Sequence, residues 1–233
     1  MKINVPDPET TDLDNQRQND SFGYFSVASS LTRLITGSNS HLVIGISNKW
    51  GEGKTTFLKL WEMDLEQNSI PYKYINAFEF EVTEDPFFPL CGQLSELIPI
   101  DKQDEFKEKA KSIAIHSLKF AGAAAIKIVS GGISAGGILE TSGVESDIAN
   151  KGAELVESGI DKASSLLQNN QEFKDSLATN LTTTYPDKPV VIIIDELDRC
   201  RPDFTLKFLE RIKHLFCIDN LVFVIAVLSL IHI

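Results

Sequence analysis

Cysteine is scarce in this chain of 233 residues, where Cys91, Cys200 and Cys217 lie far apart and form no Cys-x-x-Cys pair. That excludes a disulfide framework and a cysteine zinc site, and it fits reduced thiols in a cytoplasmic setting. Positive charge is in deficit, with 22 Lys and Arg against 33 Asp and Glu and a formal net charge of -11. A surface of that sign repels a phosphate backbone, so direct nucleic-acid binding is not expected. The start of the chain lacks an apolar run of the secretory type. Met1 to Asp20 is polar and acidic, which predicts a cytosolic start and a loosely ordered lead over residues 1–21. Apolar residues are plentiful at 42%, against 24% charged. That supports an α/β domain, alone or with an insertion, and excludes disorder for the bulk of the chain.

Order is expected from Phe22, where Phe25, Val27, Ala28, Leu31, Leu34 and Ile35 recur at helical spacing up to a stop at Gly37. The apolar run His41 to Ile46 then reads as a strand, followed by Ser47-Asn-Lys-Trp-Gly-Glu-Gly-Lys-Thr-Thr56 and the amphipathic Phe57-Leu-Lys-Leu-Trp61. Strand, glycine-containing loop and helix in that order suit a phosphate. Gly51 and Gly53 let backbone N–H groups curl around oxygens, the helix start adds its positive end, and Lys54 adds a mobile cation. Thr55 offers a hydroxyl to Mg²⁺. The full pattern Gly-x-x-x-x-Gly-Lys-[Ser/Thr] has Asn48 at its first position here, a residue that tolerates a left-handed backbone. The expected nucleotide-binding set is Asn48, Lys49, Trp50, Gly51, Glu52, Gly53, Lys54, Thr55 and Thr56.

Downstream, Pro189-Val-Val-Ile-Ile-Ile-Asp-Glu-Leu-Asp-Arg199 is a β-branched run that ends in acids, the pattern of a buried parallel strand with charge at its carboxyl end. A carboxylate there, beside a phosphate loop, is placed to hold a metal, so Asp195 is expected to reach Mg²⁺ through water. A turn after Asp195 would leave Glu196 able to polarise an attacking water. Asp198 has two readings, metal support or the opening of the next helix. Arg199 has three: a pair with Asp198, a pair with Asp203, or sensing nucleotide at a neighbour's interface. The helix from Asp203 to Phe216 is expected to pack Phe204, Phe208, Leu209, Ile212, Leu215 and Phe216 on the sheet, with Pro202 in its first turn. Between the two motifs, Tyr72 to Ala77 is a short strand, and Leu221 to Val227 is another buried one.

An extra strand between loop and acid, with a glutamate beside the metal aspartate, resembles the additional-strand, catalytic-glutamate division of P-loop NTPases. Lys49-Trp-Gly-Glu-Gly-Lys-Thr-Thr56 and Ile194-Asp-Glu-Leu-Asp-Arg-Cys200 narrow this, since together they resemble the KAP family. Asn76-Ala-Phe78 resembles that family's Asn-x-Trp segment with Phe in place of Trp. Asn48 for Gly, and Glu196 where many relatives have Asp, are departures. The resemblance covers residues 22 to 100 and 185 to 227. It implies ATP hydrolysis coupled to conformational change, often at a membrane and sometimes in bacterial defence against phage.

The middle is less legible. Residues 120–139 form an apolar stretch of 20 broken only by Lys127, long enough to span a bilayer, with Gly132 and Gly136 in small-xxx-small spacing. Lys127 near its centre would cost about 3 kcal/mol on insertion scales, and a glycine-rich linker is the alternative. Ile148, Leu155, Val156, Ile160, Ala163, Leu166 and Leu167 then recur at helical spacing. His116 is a lone histidine, expected to pack or face solvent. The final Leu228-Ser-Leu-Ile-His-Ile233 is expected to be truncated or non-native, because a strand of this kind normally leads to a polar sensor residue.

These readings together predict a parallel-sheet α/β P-loop fold flanked by helices. Its parts are a first core portion over 22–110, a helical or membrane-associated insertion over 111–169, and a second core portion over 170–227. Lys54 and Glu196 are the catalytic pair, Thr55 and Asp195 the metal set, and ATP and Mg²⁺ the cofactors. The expected partner is ATP, with a second copy of the chain and a membrane contact through 120–139 as further options. The expected location is the cytoplasm, with peripheral or integral attachment at the inner membrane as the alternative. A nucleotide-dependent switch or scaffold with negligible turnover is the competing function; a kinase is weaker, because the insertion is too poor in arginine for a lid.

Overall fold

Among the described residues, four parallel strands carry the core. The computed structural model describes residue 20 and residues 22–38, 40–49, 52–113 and 145–228, with side chains in the last range from 164 to 227. Trp50, Gly51, His116, the stretch 120–139, residues 229–233 and most of the 1–21 lead lie outside the described residues, as do the side chains of Ile148, Leu155, Val156, Ile160 and Ala163. By compactness the chain divides into Met1–Ile100 with Leu177–Ile233, and Asp101–Ser176.

In the first unit, helix α1 (Tyr24–Thr36) leads to strand β1 (Leu42–Asn48) and helix α2 (Lys54–Gln67). Strand β2 (Tyr72–Asn76) and the short helices α3 (Ala77–Phe80) and α4 (Phe87–Ser95) follow. The second unit holds most of a helical stretch over residues 100–113, α5, and most of the 40-residue helix α6 (Glu145–Thr184). The chain re-enters the sheet through strand β3 (Val190–Asp195), a 3₁₀ turn (Leu197–Arg199), helix α7 (Pro202–Leu215) and strand β4 (Leu221–Leu228). Among the described residues no helix is long and apolar enough to cross a membrane.

The sheet order is β1-β4-β3-β2, parallel throughout. The loop strand β1 and the acid strand β3 are therefore separated by one strand, and that strand is β4. The sequence places β2 between the two motifs along the chain, but β2 lies at the far edge, paired with β3. Chain order and sheet order differ because parallel crossovers over helices free a strand from its sequence neighbours.

Burial follows side-chain chemistry on both faces. Val191, Ile193, Val222, Val224 and Ala226 join Ala28, Ile35, Phe57, Leu58, Trp61 and Leu65 in one cluster with α1 and α2. Phe223 meets Phe216 beyond α7, with ring centroids 6.2 Å apart. Two helical stripes are narrower than the spacing suggested. In α1 the buried residues are Phe25, Ala28, Thr32 and Ile35, while Val27 and Leu34 are exposed; in α7 Leu209 is exposed. The buried positions step by three and four, and Thr32 enters the stripe because it has hydrogen-bond partners there. Its hydroxyl donates to Asp64 at 2.5 Å and accepts from the Trp61 indole N–H at 3.0 Å, while Ser29 donates to the other Asp64 oxygen at 2.8 Å. This network ties α1 to α2 and fixes α1 beside the loop that opens α2.

Candidate nucleotide site

Parallel pairing brings the strand tips to one end of the sheet. Asn48 aligns with Leu228, and Asn76 with Asp195. The carboxyl ends of strands in an open α/β sheet are where ligands bind, because the following loops and helix starts face that crevice.

Described residues of the loop between β1 and α2 bond to one another. Gly53 precedes the helix at φ 77, a left-handed conformation that glycine adopts without a side-chain clash. The Lys49 N–H donates to the Glu52 carboxylate at 2.9 Å, and the Glu52 N–H donates to the Lys49 carbonyl at 3.2 Å. The Asn48 side-chain amide makes a long 3.5 Å bond to the Glu52 carbonyl, a contact that glycine could not make. Thr55 and Thr56 are exposed on the first turn of α2.

Lys54, the first residue of that helix, reaches across to the acid strand. Its Nζ lies 2.8 Å from Asp195 Oδ1 and 3.7 Å from Asp198 Oδ1. Asp195 is only 1% exposed, and a carboxylate so buried needs a full set of partners. It has them: Oδ1 also accepts from the Glu196 N–H at 2.8 Å, and Oδ2 accepts from the Tyr74 hydroxyl at 2.8 Å. Burial first, and then the bond to Asp195, push Tyr74 well above the usual phenol range, so this hydroxyl remains a donor.

The chain turns sharply after β3. Glu196 has φ 61, a left-handed conformation that costs a residue with a Cβ on the order of 1–2 kcal/mol. After this turn its carboxylate pairs with Arg199 at 3.1 Å. Arg199 thus pairs with Glu196 rather than with Asp198 or Asp203. Nor does Asp198 cap the next helix: α7 follows Arg201, and Asp198 lies in the 3₁₀ turn with its carboxylate toward Lys54. The three cysteines are free thiols. Burial, with Glu81 and Asp198 nearby, pushes Cys200 up to about 11, which keeps it protonated and unsuited as a nucleophile.

The structure therefore brings Lys54, Asp195, Glu196 and Asp198 together from the predicted set, with Asn48, Lys49, Glu52 and Gly53 shaping the loop. Tyr74 is the partner that motif spacing did not mark. Its alternation with Tyr72 and Asn76 puts it on a strand face, but only the pairing of β2 with β3 sets it against Asp195. The donors suit Mg²⁺ bound mainly by phosphate oxygens and water. Both Asp195 oxygens are already engaged, so Asp195 would act through water, while the exposed Thr55 hydroxyl is open to a direct contact.

Comparison with curated proteins finds no match to the chain. A family model described as the KAP family P-loop domain matches residues 24–227, from the first turn of α1 almost to the end of β4. With the loop, the acid strand and their meeting at one end of a parallel sheet, that match shows that the chain belongs to the KAP family of P-loop domains.

Proposed function

We propose that this domain binds ATP with Mg²⁺ and hydrolyses it, coupling turnover to a change of conformation. The observation that carries the reading is the 2.8 Å contact between Lys54 and the buried Asp195, which joins the end of the phosphate loop to the acid strand. The β and γ oxygens of the nucleotide compete with Asp195 and Asp198 for Lys54, and the loop N–H groups and the start of α2 supply the other positive partners. When bound, Mg²⁺ supplies charge neutralisation on the phosphate oxygens. Thr55 and Asp195 would hold it, the latter through water.

Glu196 orients the attacking water and takes its proton, once its carboxylate exchanges Arg199 for that water. The new bond runs from the water oxygen to the γ-phosphorus. The bond to the bridging oxygen breaks, and ADP leaves with the electron pair. Catalysis here is mainly positioning and charge stabilisation. The family resemblance offers bacterial defence against phage as a setting.

The Glu196–Arg199 pair also favours a second reading, a nucleotide-dependent switch in which Glu196 stays latched and turnover is negligible. Binding and steady-state hydrolysis decide between the two. Lys54→Ala should abolish ATP binding, whereas Glu196→Gln should keep binding and lower turnover by roughly a hundredfold or more. Loss of binding in Glu196→Gln would contradict its role, and wild-type binding without turnover would move the protein to the switch reading.

A further inference from the structure

Lys54, the loop and Asp195 suit phosphates and metal, yet a nucleoside triphosphate also carries a planar base. Directly beside the loop, two aromatic rings stack where α1 begins: Phe22 and Tyr24, with centroids 5.4 Å apart and planes 22° from parallel. Tyr24 is locked onto the loop. Its hydroxyl donates to the Glu52 carbonyl. Its ring lies so close over Gly53 that an added Cβ would sit 3.2 Å from the hydroxyl oxygen and 3.3 Å from a ring carbon. Phe57, on the first turns of α2, meets Tyr24 edge-on at 5.6 Å. The turn that carries both rings is held by Asp20, whose carboxylate accepts the N–H groups of Tyr24 at 2.9 Å and Phe25 at 2.8 Å.

Phe22 is the outer ring of this stack and is 78% exposed. A phenyl group left in water forgoes its burial energy, while one held in place against a second ring has already lost the freedom that a stacking partner would otherwise have to restrict. We propose that Phe22, supported by Tyr24, is the stacking platform for the base of the nucleotide whose phosphates the loop holds. This rests on the nucleotide-binding reading above and adds the residues that meet the base. Stacking depends on ring area more than on hydrogen-bond pattern, so the platform favours purine over pyrimidine triphosphates and separates ATP from GTP only weakly.

The test compares Mg²⁺ complexes of ATP, CTP and inorganic tripolyphosphate by calorimetry on the full chain. Tripolyphosphate reads the loop alone, and ATP reads loop and platform together. In the wild type, ATP should bind more tightly than CTP. In Phe22→Ala, ATP should weaken on the order of tenfold, tripolyphosphate should change less than twofold, and Phe22→Trp should restore ATP binding. Equal weakening of ATP and tripolyphosphate would overturn the platform, because Phe22 would then be shaping the loop. Unchanged ATP binding in Phe22→Ala, with Lys54→Ala still abolishing it, would overturn the platform and leave the nucleotide reading standing. A wild type that binds neither ATP nor tripolyphosphate would overturn both.

Discussion

β1 and β3 each deliver candidate site residues from their carboxyl ends, and they are built in opposite ways. Among the described residues β1 is the outermost strand on its side, and along it half-buried and exposed positions alternate from Leu42 to Asn48. β3 lies inside the sheet, and all six of its residues are buried. β1 opens into a loop whose described residues are joined by a few exposed hydrogen bonds. The interior strand ends on a charge that water barely reaches, held by Lys54, Tyr74 and the Glu196 N–H. A strand tip in contact with water leaves its hydrogen bonds open to exchange with phosphate, whereas a buried tip can hold a carboxylate in one place, provided neighbours supply every bond that water would have made.

The contrast can be broken most directly at Asp195. Asp195→Ala leaves the Tyr74 hydroxyl and the Glu196 N–H without their acceptor and Lys54 with only the more distant Asp198, so urea denaturation should show a loss of about 3–5 kcal/mol. A loss below about 1 kcal/mol would mean that the interior tip is no more demanding than the edge. Tyr74→Phe removes one hydrogen bond to a charged group and nothing else, with an expected cost of about 2 kcal/mol by the same measurement.

Glu62, on α2, sharpens the comparison through pH. Burial, with Glu66 beside it and Lys59 opposing, raises Glu62 from 4.5 to about 7. A carboxyl raised by folding binds a proton that the unfolded chain has released, so its contribution to stability falls as pH climbs from 4.5 to 7 and stays low above that. Glu62→Gln should remove this slope. Because the group is partly exposed, the gain at pH 8 is about 1 kcal/mol after solvent screening, with none at pH 4. Thermal unfolding at the two pH values reads it, and equal shifts at both would refute the assignment. The smallest effect belongs to the edge: Asn48→Ala gives up one long, exposed bond and should change stability by less than about 0.5 kcal/mol.

Much of this was legible from residue order. Pro189 to Asp195 reads as a buried strand because no polar residue interrupts it, and it is one. The stop at Gly37 and the turn at Glu196 also occur where the local chemistry put them. The limits of the buried stripes were less legible, since Val27, Leu34 and Leu209 are as apolar as their buried neighbours and differ only in the direction they face. Thr32 shows the converse, a polar residue made at home by Asp64 and Trp61 from another helix.

Residue types and spacing by themselves marked the phosphate loop and the acid strand, and the motifs there carried the family resemblance, because these depend on local chemistry: glycine where the backbone must turn, a cation beside it, and carboxylates after a β-branched run. Only the tertiary structure decided that β4 separates β1 from β3, that Tyr74 holds Asp195, that Arg199 holds Glu196, and that Phe22 and Tyr24 stand beside the loop. The first two are contacts between strands remote in sequence, set by which parallel crossover packs best. The others depend on how a turn or a helix packing aims side chains, and periodicity gives the face of an element without giving what lies opposite it.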